Sequence, residues 1–225
     1  MRTTIYQINP ERDTHRVKFM ELAALERLQG SAKVDASLYD QVFSGDLEET
    51  ELEQVFRRFN LEGQPLHRGH SLSVSDVVVN ENGAFFCDSV GFQQIDFEES
   101  RTQKPDDLLR VVYVEPGRAP FETEIDSSLR GLQKAVGGLI EPLYLEDGCI
   151  LVCNEEGKLH GMPGNRRLGD SIIAGPFFIC GDEGENFRSL TDGEVEKYLQ
   201  RFAEPEQISD EEVQADMGYS IFFMS

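Results

Sequence analysis

The spacing of apolar residues changes period several times along the chain, and each change marks an element. Residues 3–8 alternate briefly and run into Asn9-Pro10, which predicts an opening strand and a turn. Between residues 16 and 28, Val17, Met20, Leu22, Ala24, Leu25 and Leu28 keep near-helical spacing, with Asp13 or Thr14 as cap and Gly30 as stop. Residues 47–59 predict a second helix. Leu52, Val55, Phe56 and Phe59 share one stripe, Thr50 and Glu53 have capping-box spacing, and Asn60 and Gly63 end it. The period then drops to two. Residues 71–79 read as a strand, 80–83 as a tight turn, 84–88 as the returning strand and 91–97 as a third. The polar, aperiodic run EESRTQKPDD that follows predicts a boundary.

In the second half, residues 108–114 form a strongly apolar strand, followed by a loop punctuated by Pro116, Gly117 and Pro120. Asp126 or Ser127 caps a helix whose stripe of Leu129, Leu132 and Val136 ends at Gly137-Gly138. Residues 139–145 and 149–153 pair as a hairpin across Glu146-Asp147-Gly148. Residues 154–157 make a turn, 158–162 a short return, 165–170 a loop, and 171–180 a strand broken by Gly175-Pro176. Thr191 with Glu194 starts a helix reaching about Phe202, and Ser209 with Glu212 starts a shorter one. The stretch from Tyr219 through Met224 reads as apolar and extended. These elements predict an α+β fold in two small domains, residues 1–98 and 108–225, with a linker at 99–107. Each domain would be a mostly antiparallel sheet with two or three packed helices.

Charge narrows the choice of partners. The 225 residues carry 42 acids against 21 Lys and Arg, a formal net charge of −21. Residues 105–225 hold 24 acids and 10 bases, and 12 of those acids fall between positions 182 and 216. Nucleic acid and anionic membranes repel such a chain, because binding to either rests on neutralising phosphates. No apolar run approaches the length of a membrane span, and MRTTIYQINPERD lacks the apolar segment of a signal peptide. Of Cys87, Cys149, Cys153 and Cys180, none shows C-x-x-C spacing, and three sit in apolar strand-like runs as small buried hydrophobes. A reducing, cytoplasmic setting is expected, with no direct nucleic-acid binding and no membrane contact. The acidity either suits a protein partner with a basic, phosphate-seeking cleft or serves solubility alone.

Gly69-His70-Ser71-Leu72-Ser73 has part of a nucleophile elbow, but a polar loop precedes it, a strand follows it, and Ser73 stands where the second Gly belongs. The elbow is rejected. Strand alternation puts Leu72, Val74, Asp76 and Val78 on one face, so Asp76 is expected to be buried and paired, with Arg68 or His70 as partner, unless a bulge turns it outward. Between residues 148 and 181, two apolar runs flank the polar residues Asn154, Glu155, His160, Asn165, Arg166 and Arg167. Asn154 suits the first position of a turn. Asn165 and Arg166 offer either a guanidinium fork to a phosphate, carboxylate or nucleobase, or a pair with a local acid. Cys149, Cys153, His160 and Cys180 match no zinc spacing, and no phosphate-loop, dinucleotide or calcium-loop signature is present, so neither metal nor cofactor is expected.

The first half resembles the YodL-like domain family through YQINPERD, FRRFN, RGHSLSVSDVV and DSVGF. The second half is similar to an uncharacterised domain-of-unknown-function family through VEPGRAPFETEI, LQKAVGGLIE, LVCNEEGKLHGMPGNRRL and IIAGPFFICG. The resemblance implies a setting among bacteriophages, plasmids and conjugative elements, beside antirestriction modules, and supplies no catalytic residues. Arg68, His70, Ser71, Asp76, Asn154, Asn165 and Arg166 are its motif positions.

Two functional expectations follow. The first is a non-enzymatic accessory protein that binds a host or element-encoded protein and modulates defence or replication, with DNA mimicry by the acidic half as its sharper form. The second is binding or turnover of a small nucleotide-like ligand, where His160, Asn165 and Arg166 would converge. A homo-oligomer formed through Tyr219 to Met224 is a further expectation.

Overall fold

Strand alternation in the first third of the chain has two apolar faces to satisfy, and the sheet it builds is covered on both. The structure, a computed structural model, describes residues 1–31, 33–62, 66–184 and 186–222. It divides into two compact units, Met1–Asp106 and Asp107–Ser225. In the first, β1 (Arg2–Ile8) lies between β2 (Tyr39–Asp46) and β3 (Val77–Asn80). With β4 (Gly83–Cys87) and β5 (Phe92–Ile95) these form an antiparallel sheet in the order β5-β4-β3-β1-β2. Tyr6, Ile8, Val77 and Phe86 pack with Leu22 and Leu25 of α1 (Leu22–Gln29). Ile5, Val78 and Phe43 pair side by side on the opposite face, where the Phe43 ring meets Phe59 edge-on at 4.9 Å.

Several elements differ from the sequence expectation, each for a local reason. The helix expected over 16–28 begins only at Leu22. The Asp13 carboxylate does accept the N–H groups of Val17 and Lys18 at 2.8 and 2.9 Å, but it clasps a turn in which Arg16 and Phe19 have positive φ. Gly30 ends the helix, left-handed at φ 74°. The second helix shrinks to α2 (Leu52–Arg57) and continues as a single π turn, Arg58–Glu62. Glu51 precedes α2 without a side-chain cap, so Thr50 and Glu53 make no capping box, and Gly63 lies outside the described residues. Residues 71–76 are turns, and the strand there is only Val77–Asn80. β2 is an addition to the expected elements. Part of the expected linker joins the first unit: Gln103 exchanges backbone hydrogen bonds with Tyr39 and Gln41 at 2.9 Å.

The second unit centres on β6 (Leu108–Val114). The elements that follow are β7 (Phe121–Asp126), α3 (Leu129–Val136), β8 (Ile140–Tyr144), β9 (Cys149–Asn154), β10 (Gly164–Leu168), β11 (Ser171–Ala174), β12 (Phe177–Asp182) and β13 (Phe187–Arg188). The antiparallel order is β7-β6-β12-β9-β8, with β13 beside β12, while β10 and β11 form a separate ribbon. Val112, Leu151, Phe177 and Ile179 pack against Val195, Tyr198 and Phe202 of α4 (Asp192–Arg201) and its C-cap. Helix α3 is held to the sheet by Tyr113, whose hydroxyl donates to the Ala135 carbonyl at 2.7 Å. Finally α5 (Asp210–Phe222) lays Val213 on Ile172 and Ala174 of the ribbon.

Here β7 replaces part of an expected loop, and Ser128 caps α3, accepting the Gly131 N–H at 3.1 Å in place of Asp126 or Ser127. Residues 158–162 are turns where a return strand was expected, and the loop expected over 165–170 contains strand β10. Gly175, at φ 82°, divides the expected strand over 171–180 between two sheets. The capping box of Thr191 and Glu194 is present. The helix begun by Ser209 and Glu212 is the longer of the two, with 13 residues. It includes Tyr219 to Phe222, so that stretch is helical where extended chain was expected, and Phe223 and Met224 lie outside the described residues.

The outermost strand of this sheet, β8, contains Pro142. The bonds Leu145 N–H to Cys149 O and Glu155 N–H to Leu139 O fix which β8 residues point at β9, namely the odd-numbered ones. Pro142 therefore removes a donor that would have faced outward, and the pairing with β9 is undisturbed.

Candidate functional site

Among the described residues, each unit buries a cluster of polar side chains that includes expected site positions. In the first unit the centre is Gln7, on the fully enclosed end of β1. Its amide nitrogen donates to Asp76 Oδ2 at 2.8 Å and to the His70 carbonyl at 2.8 Å, and its Oε1 accepts the His70 N–H at 3.0 Å. The Ser73 N–H donates to the same Asp76 oxygen at 2.8 Å. Gly69 permits this approach, because a Cβ there would fall 1.8 Å from Gln7 Oε1. His70 Nδ1 lies 3.9 Å from Asp76 Oδ2 and 2.7 Å from the Ser71 carbonyl. Asp76 is thus buried as expected, with Gln7 as its main partner and His70 beside it. Arg68 instead donates to the Gln41 carbonyl at 2.9 Å, and the Ser71 side chain is exposed.

Burial pushes the Asp76 carboxyl up to about 7, against the hydrogen bonds from Ser73 and Gln7 and the field of Lys18. Burial also lowers His70, where the Ser71 contact opposes the shift. Asp76 Oδ1 and His70 Nε2 are enclosed without a hydrogen-bond partner among the described residues. A raised carboxyl beside an imidazole is the raw material of acid–base catalysis. Asp76, however, has no exposed surface at all, so no substrate reaches it without displacing Gln7 or Ser73.

In the second unit Asn165 and Arg166 sit on β10 and point inward. The Asn165 amide donates to the carbonyls of Val114 and Gly175 at 3.0 and 2.8 Å. Arg166, 2% exposed, donates from Nη1 to Asn165 O and Oδ1, and from Nη2 to the carbonyls of Arg118 and Phe202, all within 3.0 Å. Burial lowers its pKa, with the Glu206 charge opposing. The guanidinium fork is present, and among the described residues it is held by three backbone carbonyls and the Asn165 side-chain oxygen in place of a local acid. Its neighbour Arg167 takes the acids, Glu206 at 2.8 Å and Glu212 at 2.7 Å.

Asn154 is buried and closes a turn, accepting the Glu156 N–H at 2.9 Å and donating to the Val136 carbonyl at 3.2 Å. His160 is exposed beside Glu156, 3.7 Å away. The structure therefore brings Asn165 and Arg166 together and leaves His160 outside with solvent. Cys149 and Cys153 share a face of β9, whereas Cys180 pairs with Ile150 and faces the other way. All four cysteines are free and buried, and burial pushes Cys87, Cys153 and Cys180 up to about 12.

Sequence reasoning missed a cavity of about 590 Å³ in this unit, lined among others by Glu141, Cys153, Lys158, Leu159, Ser171 and Met217. These residues come from β8, β9, the turn after it, the ribbon and α5, and no linear pattern announces that gathering. The nearest signal was the density of polar residues after β9.

Fold and side chains together describe an α+β protein of two antiparallel units, each with its own buried polar cluster. The chain carries a YodL-like domain over residues 2–97, followed by a domain of unknown function, DUF3846, over residues 109–203. No curated protein and no solved structure matches it. Among the described residues no helix is long and apolar enough to cross a membrane.

Proposed function

We propose that the chain is a non-enzymatic accessory protein whose acidic second unit binds a basic surface of another protein, encoded by the host or by a mobile element. The observation that carries this reading is that most of the ten bases of that unit are already committed, Arg118 beside Glu115 among them. Arg110 pairs with Glu122 and Asp192, Lys158 with Asp216, Arg167 with Glu206 and Glu212, Arg188 with Glu194, and Lys197 with Asp147. Glu183, Glu196, Glu204, Asp210 and Glu211 are exposed and make no ion pair among the described residues. An uncompensated field of this kind steers a cationic partner and repels nucleic acid.

The resemblance to mobile-element proteins suggests a partner in defence or replication, in a cytoplasmic setting. Strict DNA mimicry is the less favoured form, because the paired bases interrupt the acids along α4 and α5. The test is a pull-down from a bacterial host lysate, comparing the natural chain with one carrying Glu196→Lys, Glu204→Lys, Asp210→Lys and Glu211→Lys. Capture lost at high salt and in the reversed chain supports the reading. Capture indifferent to both refutes it. The nucleotide-like alternative keeps its region of the chain but loses its anchor, since the Arg166 fork is enclosed.

A further inference from the structure

We propose that the cavity in the second unit binds a small organic cation, an ammonium or guanidinium carried on an apolar body. Its volume of about 590 Å³ falls within the range of small-molecule sites, and Leu159 lines it while remaining 67% exposed, so the cavity opens to solvent there. The apolar part of the wall comes from Leu143, Leu168, Ile172, Ile173, Ala174 and Met217. Charge decides the rest.

Lys158 is the one cation in the lining among the described residues, and it is already neutralised: its ammonium donates to Asp216 Oδ2 at 2.5 Å and to the Ser171 hydroxyl at 3.0 Å. The carboxylates of Glu141 and Glu155 have no counter-ion among the described residues. Among the described residues the Cys153 thiol lies against the Glu141 carboxylate, with Sγ 4.0 Å from Oε2, and that thiol stays neutral because burial pushes it up to about 12. The wall thus presents two unbalanced negative charges above an apolar floor. A phosphate or carboxylate ligand meets repulsion, and a neutral apolar one leaves both acids unanswered. A cation with an apolar body satisfies the acids and the floor together.

This site does not depend on the protein-surface reading, and its test is separate from the pull-down. The full chain, labelled with nitrogen-15, is titrated with 4-phenylbutylamine, 4-phenylbutyrate and 4-phenylbutanol, which share one apolar body and differ in charge. The amine is expected to perturb the backbone amides of residues 153–158 and 171–174, and to bind about tenfold more tightly than the carboxylate. Glu141→Gln with Glu155→Gln should bring the amine to the affinity of the alcohol. Both positions are exposed, so the fold is expected to survive, and unchanged amides in α3 and α4 of the same unit confirm it. Equal or tighter binding of the carboxylate, perturbation elsewhere, no binding at millimolar concentration, or a double variant that still prefers the amine would each overturn the proposal.

Discussion

Asp76 shows how a single buried carboxylate makes stability depend on pH. Its folded pKa of about 7 stands above the ordinary carboxyl value of 3.8, so between these values the folded state holds a proton that the unfolded chain has lost. The contribution is therefore unfavourable to folding as pH rises, absent below about pH 4 and complete above about pH 7, and on the order of 4 kcal/mol. The groups around it are Gln7, Ser73, His70 and Lys18. Asp76→Asn keeps an acceptor for Gln7 and Ser73 and removes the charge. Urea midpoints should then fall less steeply between pH 4.5 and 7.5 than in the natural chain; an identical slope would show that Asp76 ionises freely. Arg166 gives the contrasting case, a buried cation held by four carbonyl oxygens. Arg166→Lys loses the planar fork and should destabilise by about 2–4 kcal/mol, measured by urea unfolding.

At the scale of elements, close approach and capping set the tolerances. A Cβ at Gly157 would stand 2.5 Å from the Ala174 carbonyl oxygen, so Gly157→Ala forces the turn after β9 away from the ribbon. A loss of about 1–3 kcal/mol is expected, with faster exchange of the Ser171–Ala174 amides. Thr191→Ala removes the cap of α4 and should cost about 1 kcal/mol. The partner of that cap, Glu194, is held well below the usual carboxylate range by Arg188 and by Thr191 itself. Its contribution is present near neutrality and lost as the solution is acidified, opposite in sign to that of Asp76.

The capping box of α4, the β8–β9 hairpin and the Asn80 turn were legible because each rests on a short-range rule. Strand β2 was not, since Asp40, Gln41 and Ser44 interrupt its apolar pattern, and their partners, Asn9 and Arg12 for Asp40 and Thr4 for Ser44, lie far off in sequence. Strand β7 carries a clean alternation, Phe121, Thr123 and Ile125 inward with acids between, but Pro116, Gly117 and Pro120 ahead of it favour a loop. The inward turn of Arg166 had no sequence signal, because its acceptors lie at positions 118, 165 and 202.

On the scale of the whole molecule, each unit has an apolar cluster of its own residues, one built on Tyr6, Val77 and Phe86 and the other on Leu151, Phe177 and Tyr198. Fragments 1–106 and 107–225 should each unfold cooperatively when expressed alone. A fragment lacking a sigmoidal urea transition would show that its core depends on the other. The outermost strand of the second unit adds a consequence for behaviour in concentrated solution. Without Pro142, β8 would offer three outward N–H groups in a row, with Tyr144 73% exposed alongside them, a template on which strands of other molecules grow into fibrils. The ring interrupts that template at its middle rung. Replacing Pro142 with Thr should leave the folded unit intact yet shorten the lag before thioflavin-positive aggregates form.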